Sequence, residues 1–265
     1  MRRYTLKEIT DSMPKNKSRV SSFWVKLVAR PLSYIFTFFL ANIGCSANFV
    51  SVLSGLIVFA GCVLLSIDNP VCIIVGVVLI NLWIVFDCCD GNIARVTKKS
   101  SYMGEFTDAV SGYVICSFNL IAIGIAAYNR SSFLFGAHNR WFIVIGAVGC
   151  VTDLFARLTY QKYTNCCFVT ECKVKGSSTY TPENYSFYDP KAKKGLTYFR
   201  LVVDRQLGIS GAFMPLLIAA AATKMYDVLV CAYSLYHILT LIAVLIIFGR
   251  KSVQKDRELH ASYEI

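Results

Sequence analysis

Six stretches of the chain are long and apolar, and this pattern constrains the fold more than any other feature of the sequence. Each stretch approaches the ~20 residues that an α-helix needs to cross a hydrocarbon layer of ~30 Å. A soluble helical protein would instead show a polar face opposite each apolar stripe, and most of these stretches lack one. The sequence therefore predicts an all-α integral membrane protein with six transmembrane helices. The predicted spans are residues 48–67, 71–86, 104–128, 141–161, 201–223 and 228–248.

The composition supports a membrane location and argues against nucleic-acid binding. Hydrophobic residues make up 55% of the chain and charged residues only 16%, whereas a soluble domain carries about a quarter charged residues. A net charge of +11 would suggest nucleic acid in a soluble protein. Here the Lys and Arg residues flank the apolar stretches, so membrane orientation and anionic lipid headgroups explain them better. We expect membrane lipids as partners and no nucleic acid.

The sequence indicates a single membrane domain over residues 1–265. Within it, an amphipathic helix comes before the six transmembrane helices. Residues 1–40 form a polar, basic arm and then an interfacial helix over 23–40, which mixes aromatic residues with cationic ones. Pro31 is expected to break or kink this helix. The transmembrane region covers 48–248, and residues 249–265 form a polar tail.

The distribution of Lys and Arg predicts the orientation in the membrane. These residues are dense in the N-terminal arm, in the short loop after the second span, in a predicted polar loop over 162–200, and in the tail. The positive-inside rule places such segments in the cytoplasm. Both termini are therefore predicted to be cytoplasmic, which agrees with an even number of spans. The eleven cysteines are expected to be free thiols, because most lie in apolar stretches.

Three aspartates, Asp87, Asp90 and Asp108, mark the predicted cytoplasmic ends of spans two and three, where the second span continues as a helix. Carboxylates at a membrane edge are costly, so they are candidates for function. Asp87 and Asp90 are three residues apart and share one helix face. The same faces of the two helices carry four further candidates: Gly91, Ala94, Arg95 and Gly104.

This combination of residue types suits a diphosphate and a divalent metal. Carboxylate oxygens are hard ligands that favour Mg²⁺ or Mn²⁺. Small residues let the backbone approach a nucleotide, and Arg95 can pair with a phosphate. Each residue also has a simpler role open to it, because the aspartates can cap a solvated helix end, glycine and alanine can serve helix packing, and the arginine can be a positive-inside residue. Their joint order and spacing favour the site near the cytoplasmic surface.

The order and spacing of these residues also resemble the motif of the CDP-alcohol phosphotransferase (CDP-alcohol phosphatidyltransferase) family. That motif is Asp-x2-Asp-Gly-x2-Ala-Arg, then seven or eight residues, then Gly-x3-Asp-x3-Asp. Seven of its eight fixed positions agree: Asp87, Asp90, Gly91, Ala94, Arg95, Gly104 and Asp108. Upstream, Arg30-Pro31-Leu32-Ser33 and Ala47-Asn48-Phe49-Val50-Ser51 resemble the family's interfacial helix and its entry to the first span.

The resemblance implies an enzyme that transfers a phosphate-linked alcohol from a CDP donor to an acceptor hydroxyl and releases CMP, in phospholipid or phospho-glycan synthesis. It implies that Asp87, Asp90 and Asp108 hold a pair of Mg²⁺ or Mn²⁺ ions. The residues implied to line the CDP pocket are Gly91, Ala94, Arg95, Gly104 and Asn48. The resemblance also implies an acceptor that is a lipid or another phosphorylated or hydroxylated compound, and a homodimer.

One motif position departs from the family, because Gly112 stands where the fourth aspartate is expected. The resemblance implies that this aspartate helps to hold a metal and deprotonates the acceptor hydroxyl. Glu105 lies seven residues earlier on the same helix face and is the best local candidate for a substitute base. Alternatively, the acceptor is already ionised, or the chain binds nucleotide without turnover. The alternative function is therefore a non-catalytic nucleotide- or lipid-binding relative.

Basic residues in spans four and five are candidates for an acceptor subsite. Arg157, Arg200 and Arg205 lie where family members with phosphorylated acceptors use cationic residues. Arg157 also has Asp153 four residues before it, so an intrahelical ion pair explains it equally well. His237 in the sixth span is expected to be a packed core residue.

Overall fold

The structure of the protein is a computed structural model that describes residues 3–14, 21–99, 101–130, 133–134, 138–175 and 205–261. Those residues form helices and contain no strand. The α-helices are α1 (Leu6–Asp11), α2 (Arg30–Asn42), α3 (Ala47–Ser66), α4 (Pro70–Thr97), α5 (Tyr102–Arg130), α6 (Trp141–Lys175), α7 (Met214–Thr223) and α8 (Tyr226–Ala261). Two π-helical turns, Val25–Ala29 and Ile209–Phe213, directly precede α2 and α7.

Six helical segments in the described residues are long and apolar enough to cross a membrane, which confirms the predicted fold class. They are Ala47–Ser66, Pro70–Thr97, Tyr102–Arg130, Trp141–Thr170, Arg205–Thr223 and Tyr226–Leu259. The turn between the first two arises from local chemistry. Asn69 caps α4, because its side-chain oxygen accepts a hydrogen bond from the Val71 N–H at 2.9 Å. Pro70 then occupies the first helical position, where a missing N–H costs nothing.

Small residues allow close packing where α3 crosses α4. A Cβ placed on Gly76 would lie 2.7 Å from the carbonyl oxygen of Gly61 and 2.7 Å from the backbone nitrogen of Leu65. The two backbones are therefore nearly in contact. Helices in lipid gain no hydrophobic attraction from one another, so close van der Waals packing of this kind holds them together. Helix α3 also packs on α5, and α5 in turn packs on α6.

The N-terminal region is more ordered than the sequence suggests. Pro31 does not break the interfacial helix, because it lies in the first turn of α2 and the π-helical turn Val25–Ala29 runs directly into it. The arm, for which the sequence analysis assigned no secondary structure, contains α1, whose start is closed by reciprocal hydrogen bonds between Thr5 and Glu8. The Tyr4 N–H donates to the side chain of Asn42 at 2.8 Å and so ties the arm to the end of α2.

Two helices extend well beyond the spans predicted for them. Helix α6 continues through residues that were assigned to the polar loop over 162–200, and α8 continues through most of the predicted tail. The two helices are in contact where the extensions begin, since the rings of Tyr163 and Phe248 lie 4.7 Å apart. The loop prediction was wrong over residues 162–175, because polarity along the sequence does not reveal contact between two helices.

The fifth span departs from regular α-helical geometry at its beginning. Gly211 has φ −109° and ψ −115° within the π-helical turn that precedes α7. A Cβ at this glycine would lie 2.1 Å from the carbonyl oxygen of Gln206, so no larger side chain fits. Residues 201–204 of the predicted span lie outside the described residues.

Candidate active site

The three candidate metal ligands lie at one end of the bundle and differ in exposure. Asp90 is buried with 6% exposure, Asp87 is half-buried, and Asp108 is exposed. The side chain of Asp90 is fixed by two hydrogen bonds. The Ser51 hydroxyl on α3 donates to Oδ2 at 2.5 Å, and the Gly91 N–H donates to Oδ1. A hydrogen bond to each oxygen holds this buried carboxylate in a single orientation.

A series of buried polar groups extends from Asp90 into the bundle. The Ser54 hydroxyl donates to the carbonyl oxygen of Ser51 at 2.7 Å, and it lies 2.7 Å from the hydroxyl of Ser111 on α5. The indole N–H of Trp83 on α4 also donates to the Ser111 hydroxyl, at 3.2 Å. These bonds join the three helices that carry the candidate site, directly below the carboxylates.

Arg95 is held against the interfacial helix by Asn92, a residue for which the sequence predicted no role. Its Nη2 donates to Oδ1 of Asn92 at 2.7 Å, and Nδ2 of Asn92 donates to the Ser33 hydroxyl of α2 at 3.1 Å. The guanidinium folds back over Gly91, where an added Cβ would lie 3.2 Å from Nη1. Nε of Arg95 is buried and has no hydrogen-bond partner among the described residues.

Helices α3 and α5 meet at two residues predicted to line the CDP pocket. A Cβ placed on Gly104 would lie 2.9 Å from Oδ1 of Asn48. The hydroxyl of Ser101 bridges them, because it accepts from the Gly104 N–H at 3.0 Å and lies 3.4 Å from the same Asn48 oxygen. Ala94 is half-buried on α4, one residue before the arginine. The glycine therefore provides the space that the asparagine side chain occupies.

The chemistry of the carboxylates suits a hard divalent cation, since all three supply oxygen ligands. Among the residues that the structure describes, no three His, Cys, Asp or Glu side chains are grouped closely enough to hold a metal ion. The ligand set Asp87, Asp90 and Asp108 therefore stays a prediction. Its residue types fit Mg²⁺ or Mn²⁺, and Asp90 has a hydrogen-bonding environment that fixes its orientation.

Gly112 borders open space on α5. A Cβ built at this position meets no heavy atom within 4 Å in the described part of the chain. This contrasts with Gly124 on the same helix, where a Cβ would lie 2.4 Å from the carbonyl oxygen of Phe142. The absence of a side chain at 112 is therefore not required by packing. Glu105, the candidate substitute base, is exposed in the first turn of the same helix.

The residues predicted for the acceptor side are only partly described. Nε of Arg157 donates to Oδ1 of Asp153 at 3.2 Å, so the predicted intrahelical pair exists. His237 on α8 joins it, with Nδ1 lying 3.5 Å from the same oxygen. Arg205 is half-buried at the start of the fifth span, and Arg200 lies outside the described residues.

Two residues with clear positions at the site could not be assigned from the sequence. Ser51 entered only as part of a resemblance, although it fixes Asp90. Asn92 occupies a variable position of the motif, and its role depends on the neighbouring helix α2. For both residues, the only signal in the sequence was a polar side chain among apolar neighbours near the end of a span.

The comparison with known families identifies the same region. A model of the family described as CDP-alcohol phosphatidyltransferase matches residues 45–179. This range contains all seven motif residues from Asp87 to Asp108 together with Asn48 and Gly112, and it leaves out the interfacial helix. No curated protein matches the chain.

Proposed function

Because the chain belongs to the CDP-alcohol phosphatidyltransferase family, we propose that it transfers a phosphate-linked alcohol from a CDP donor to an acceptor hydroxyl. The acceptor oxygen attacks the phosphorus that carries the alcohol, the bond to the bridging oxygen breaks, and CMP leaves. The motif over residues 87–108 at the ends of α4 and α5 is the observation that carries this proposal.

Arg95 is the residue whose surroundings best support a phosphate ligand. Its guanidinium is oriented by Asn92, while its buried Nε has no partner among the described residues. A buried N–H without a partner costs ~1–3 kcal/mol, and a phosphate oxygen of the donor would remove that cost. Gly91 permits the guanidinium to lie against the helix backbone. Asn48 and Gly104 would bind the nucleotide on the opposite side of the site.

Asp87, Asp90 and Asp108 would hold Mg²⁺ or Mn²⁺ in this proposal, as their oxygen ligands allow. The metal would supply positive charge that neutralises the phosphoryl group and the leaving CMP. Ser51 and the Gly91 N–H keep the Asp90 carboxylate in place before any ligand arrives. Preorganised charges of this kind lower the barrier because they need not reorient during the reaction.

The proton of the acceptor hydroxyl has to be removed by a group other than residue 112. We assign this role to Glu105, which shares a helix face with Asp108 and is accessible in the first turn of α5. A general base typically contributes ~10²–10⁴-fold to the rate. Glu105→Gln should therefore reduce kcat by about 10²-fold or more and leave donor binding nearly unchanged. Equal turnover in both proteins would reject the assignment.

A groove on the surface of the bundle supports a lipid as one of the substrates. It has a volume of about 710 Å³ and lies between the interfacial helix, α4 and α7. Its walls are mainly apolar and include Trp24, Leu32, Val77, Leu82, Val85 and Ile218. One wall contains Val85, which lies within about 3 Å of Asp87 along the axis of α4 but on the opposite helix face, so an acyl chain in the groove would lie at the same depth as the site. This favours phospholipid synthesis.

The decisive experiment measures CMP release by the purified protein with CDP-diacylglycerol and with small CDP-alcohols, in the presence of Mg²⁺ or Mn²⁺. We expect release that depends on the metal and disappears in Asp87→Ala. Asp256→Asn is a matched control, because it removes a carboxylate from an exposed position on α8. No release with any donor, despite saturable CDP binding, would overturn the proposal.

That negative outcome corresponds to the second candidate function, a nucleotide- or lipid-binding protein without turnover. Gly112 is the observation that favours it, because glycine can neither bind a metal nor accept a proton through a side chain. The binding measurement and the CMP assay on the same preparation separate the two functions.

A further inference from the structure

The apolar groove beside α4 is longer than one leaflet of a membrane. The α4 residues in its wall run from Pro70 to Val85, which is about 22 Å along the helix axis at 1.5 Å per residue. One leaflet contributes only about 15 Å to a hydrocarbon layer of ~30 Å. An acyl chain that enters the groove at the depth of the candidate site, near Val85, would therefore end before it reaches Pro70.

The end of the groove near Pro70 lies where the bundle leaves the hydrocarbon layer. Four of the helical segments that could cross a membrane begin or end there, at Pro70, Arg130, Thr223 and Tyr226. Tyr226 belongs to the groove wall and is buried with 1% exposure. Because tyrosine is enriched at the boundary between hydrocarbon and headgroups, this end of the groove lies at the level of lipid headgroups, on the side of the bundle opposite the candidate site.

Two cations on different helices border this end of the groove. Arg130 is the last residue of α5, and Lys224 directly follows α7. Nε of Arg130 donates to Oδ1 of Asp68 at 2.6 Å. This bond orients the guanidinium, whose two terminal nitrogens can bind a second anion. The charge of Arg130 also acts on the Tyr226 hydroxyl, so the cation lies close to the wall of the groove.

Lys224 occupies a backbone position that favours glycine. Its φ of 60° and ψ of 25° are left-handed, and its N–H donates to the carbonyl oxygen of Ala220 at the end of α7. Glycine adopts this conformation without steric cost and ends many helices. Ending α7 therefore does not require a lysine side chain, whereas an anionic headgroup beside the groove gives the charge a role.

We propose that this end of the groove binds an anionic phospholipid from the leaflet opposite the candidate site. Its acyl chain lies along α4 and α7, and its phosphate contacts Arg130 and Lys224. The order of the wall, apolar and then cationic, matches the order of chain and phosphate in such a lipid. A zwitterionic lipid brings a positive group to the same place and gains less from the two cations. The proposal goes beyond the transfer reaction and does not depend on it.

Thermal unfolding of the full chain in mixed micelles tests the proposal. A neutral detergent carries increasing mole fractions of phosphatidylglycerol, which is anionic, or of phosphatidylcholine, which is zwitterionic. We expect phosphatidylglycerol to raise the unfolding midpoint at the lower mole fraction. Arg130→Gln and Lys224→Gln should each raise its half-saturating fraction about fivefold. Arg140→Gln is the matched control, because it removes a charge from an exposed position at the same end but outside the groove.

Two further variants separate lipid binding from a structural role of the same residues. Ala222 is exposed in the groove wall, and Ala219 is exposed on α7 outside it. Ala222→Phe should weaken the response to phosphatidylglycerol, and Ala219→Phe should not. Lys224→Gly should be at least as stable as wild type in micelles without lipid, because glycine suits the left-handed backbone, and yet it should respond less to phosphatidylglycerol.

The result that overturns the proposal is an equal response to the two lipids, or a loss in Arg140→Gln as large as that in Arg130→Gln. Glycerol 3-phosphate carries a similar anion without acyl chains. Equal stabilisation by this compound would mean that the cations bind a free anion and that the groove is not a lipid site. None of these measurements involves CMP release, so their failure would leave the proposed function unchanged.

Discussion

Replacing Gly112 by aspartate should raise turnover, because it supplies the carboxylate that the family motif has at this position. The structure allows the change, since a Cβ at 112 meets no heavy atom within 4 Å in the described part of the chain. The backbone also tolerates it. Glycine in a helix interior costs about 1 kcal/mol relative to alanine and aspartate costs no more than about 0.7 kcal/mol, so the local effect on stability is small.

The expected magnitude depends on whether Glu105 already acts as a base. A positioned base contributes ~10²–10⁴-fold to the rate, and the wild-type protein would have part of this contribution through Glu105. The clearest comparison is therefore made in a Glu105→Gln background. There, Gly112→Asp should restore kcat by about 10²-fold or more, measured as CMP release with saturating donor, acceptor and metal.

Gly112→Asn is the matched control for this experiment, because its side chain has the same shape but cannot accept the proton in the same way. Equal kcat for the aspartate and asparagine variants would refute the reasoning, provided that both bind CDP as the parent does. It would mean that the space beside position 112 is not where the acceptor hydroxyl is deprotonated.

Three further predictions concern packing and the donor site. Gly76→Ala should lower stability by about 1–3 kcal/mol, seen as a lower thermal unfolding midpoint in detergent, because its Cβ would lie 2.7 Å from the backbone of Leu65. Ser51→Ala should raise the half-saturating Mg²⁺ concentration by about 10-fold or more, in both CMP release and thermal stabilisation, whereas Ser51→Thr should not, since it keeps the hydroxyl bound to Asp90. Gly104→Ala should raise KM for the CDP donor several-fold by displacing the neighbouring asparagine, with kcat less affected; an unchanged KM would contradict that contact.

The spans were predictable from the sequence because lipid requires a length and a polarity that can be read residue by residue. The turn at Asn69 and Pro70 was equally local, as capping and a fixed φ act within a few residues. The length of α6 and α8 was not predictable in this way. The two helices are in contact at Tyr163 and Phe248, where their extensions begin, and such a contact between distant parts of the chain has no signature in either segment.

In the candidate site, too, the local pattern was predictable and the contacts between helices were not. The motif from Asp87 to Arg95 could be recognised because its spacing follows the helix period. The residues that orient its members could not, because they belong to other helices: Ser51 reaches Asp90 from α3, and Ser33 reaches Asn92 from α2. The histidine that joins the Asp153–Arg157 pair lies on α8 for the same reason.

The protein has two separate clusters of buried hydrophobic residues, one in the membrane-embedded bundle and one between α6 and α8. Different forces stabilise them. Helix α8 alone, Tyr226–Ala261, is about 54 Å long at 1.5 Å per residue, so about 24 Å of it projects beyond a ~30 Å hydrocarbon layer. The contact of Tyr163 with Phe248 lies where this projection begins, and there the hydrophobic effect, which is absent between helices surrounded by lipid, holds the two rings together. Urea weakens that effect and should therefore separate the two projecting helices at concentrations that leave the membrane-embedded bundle intact.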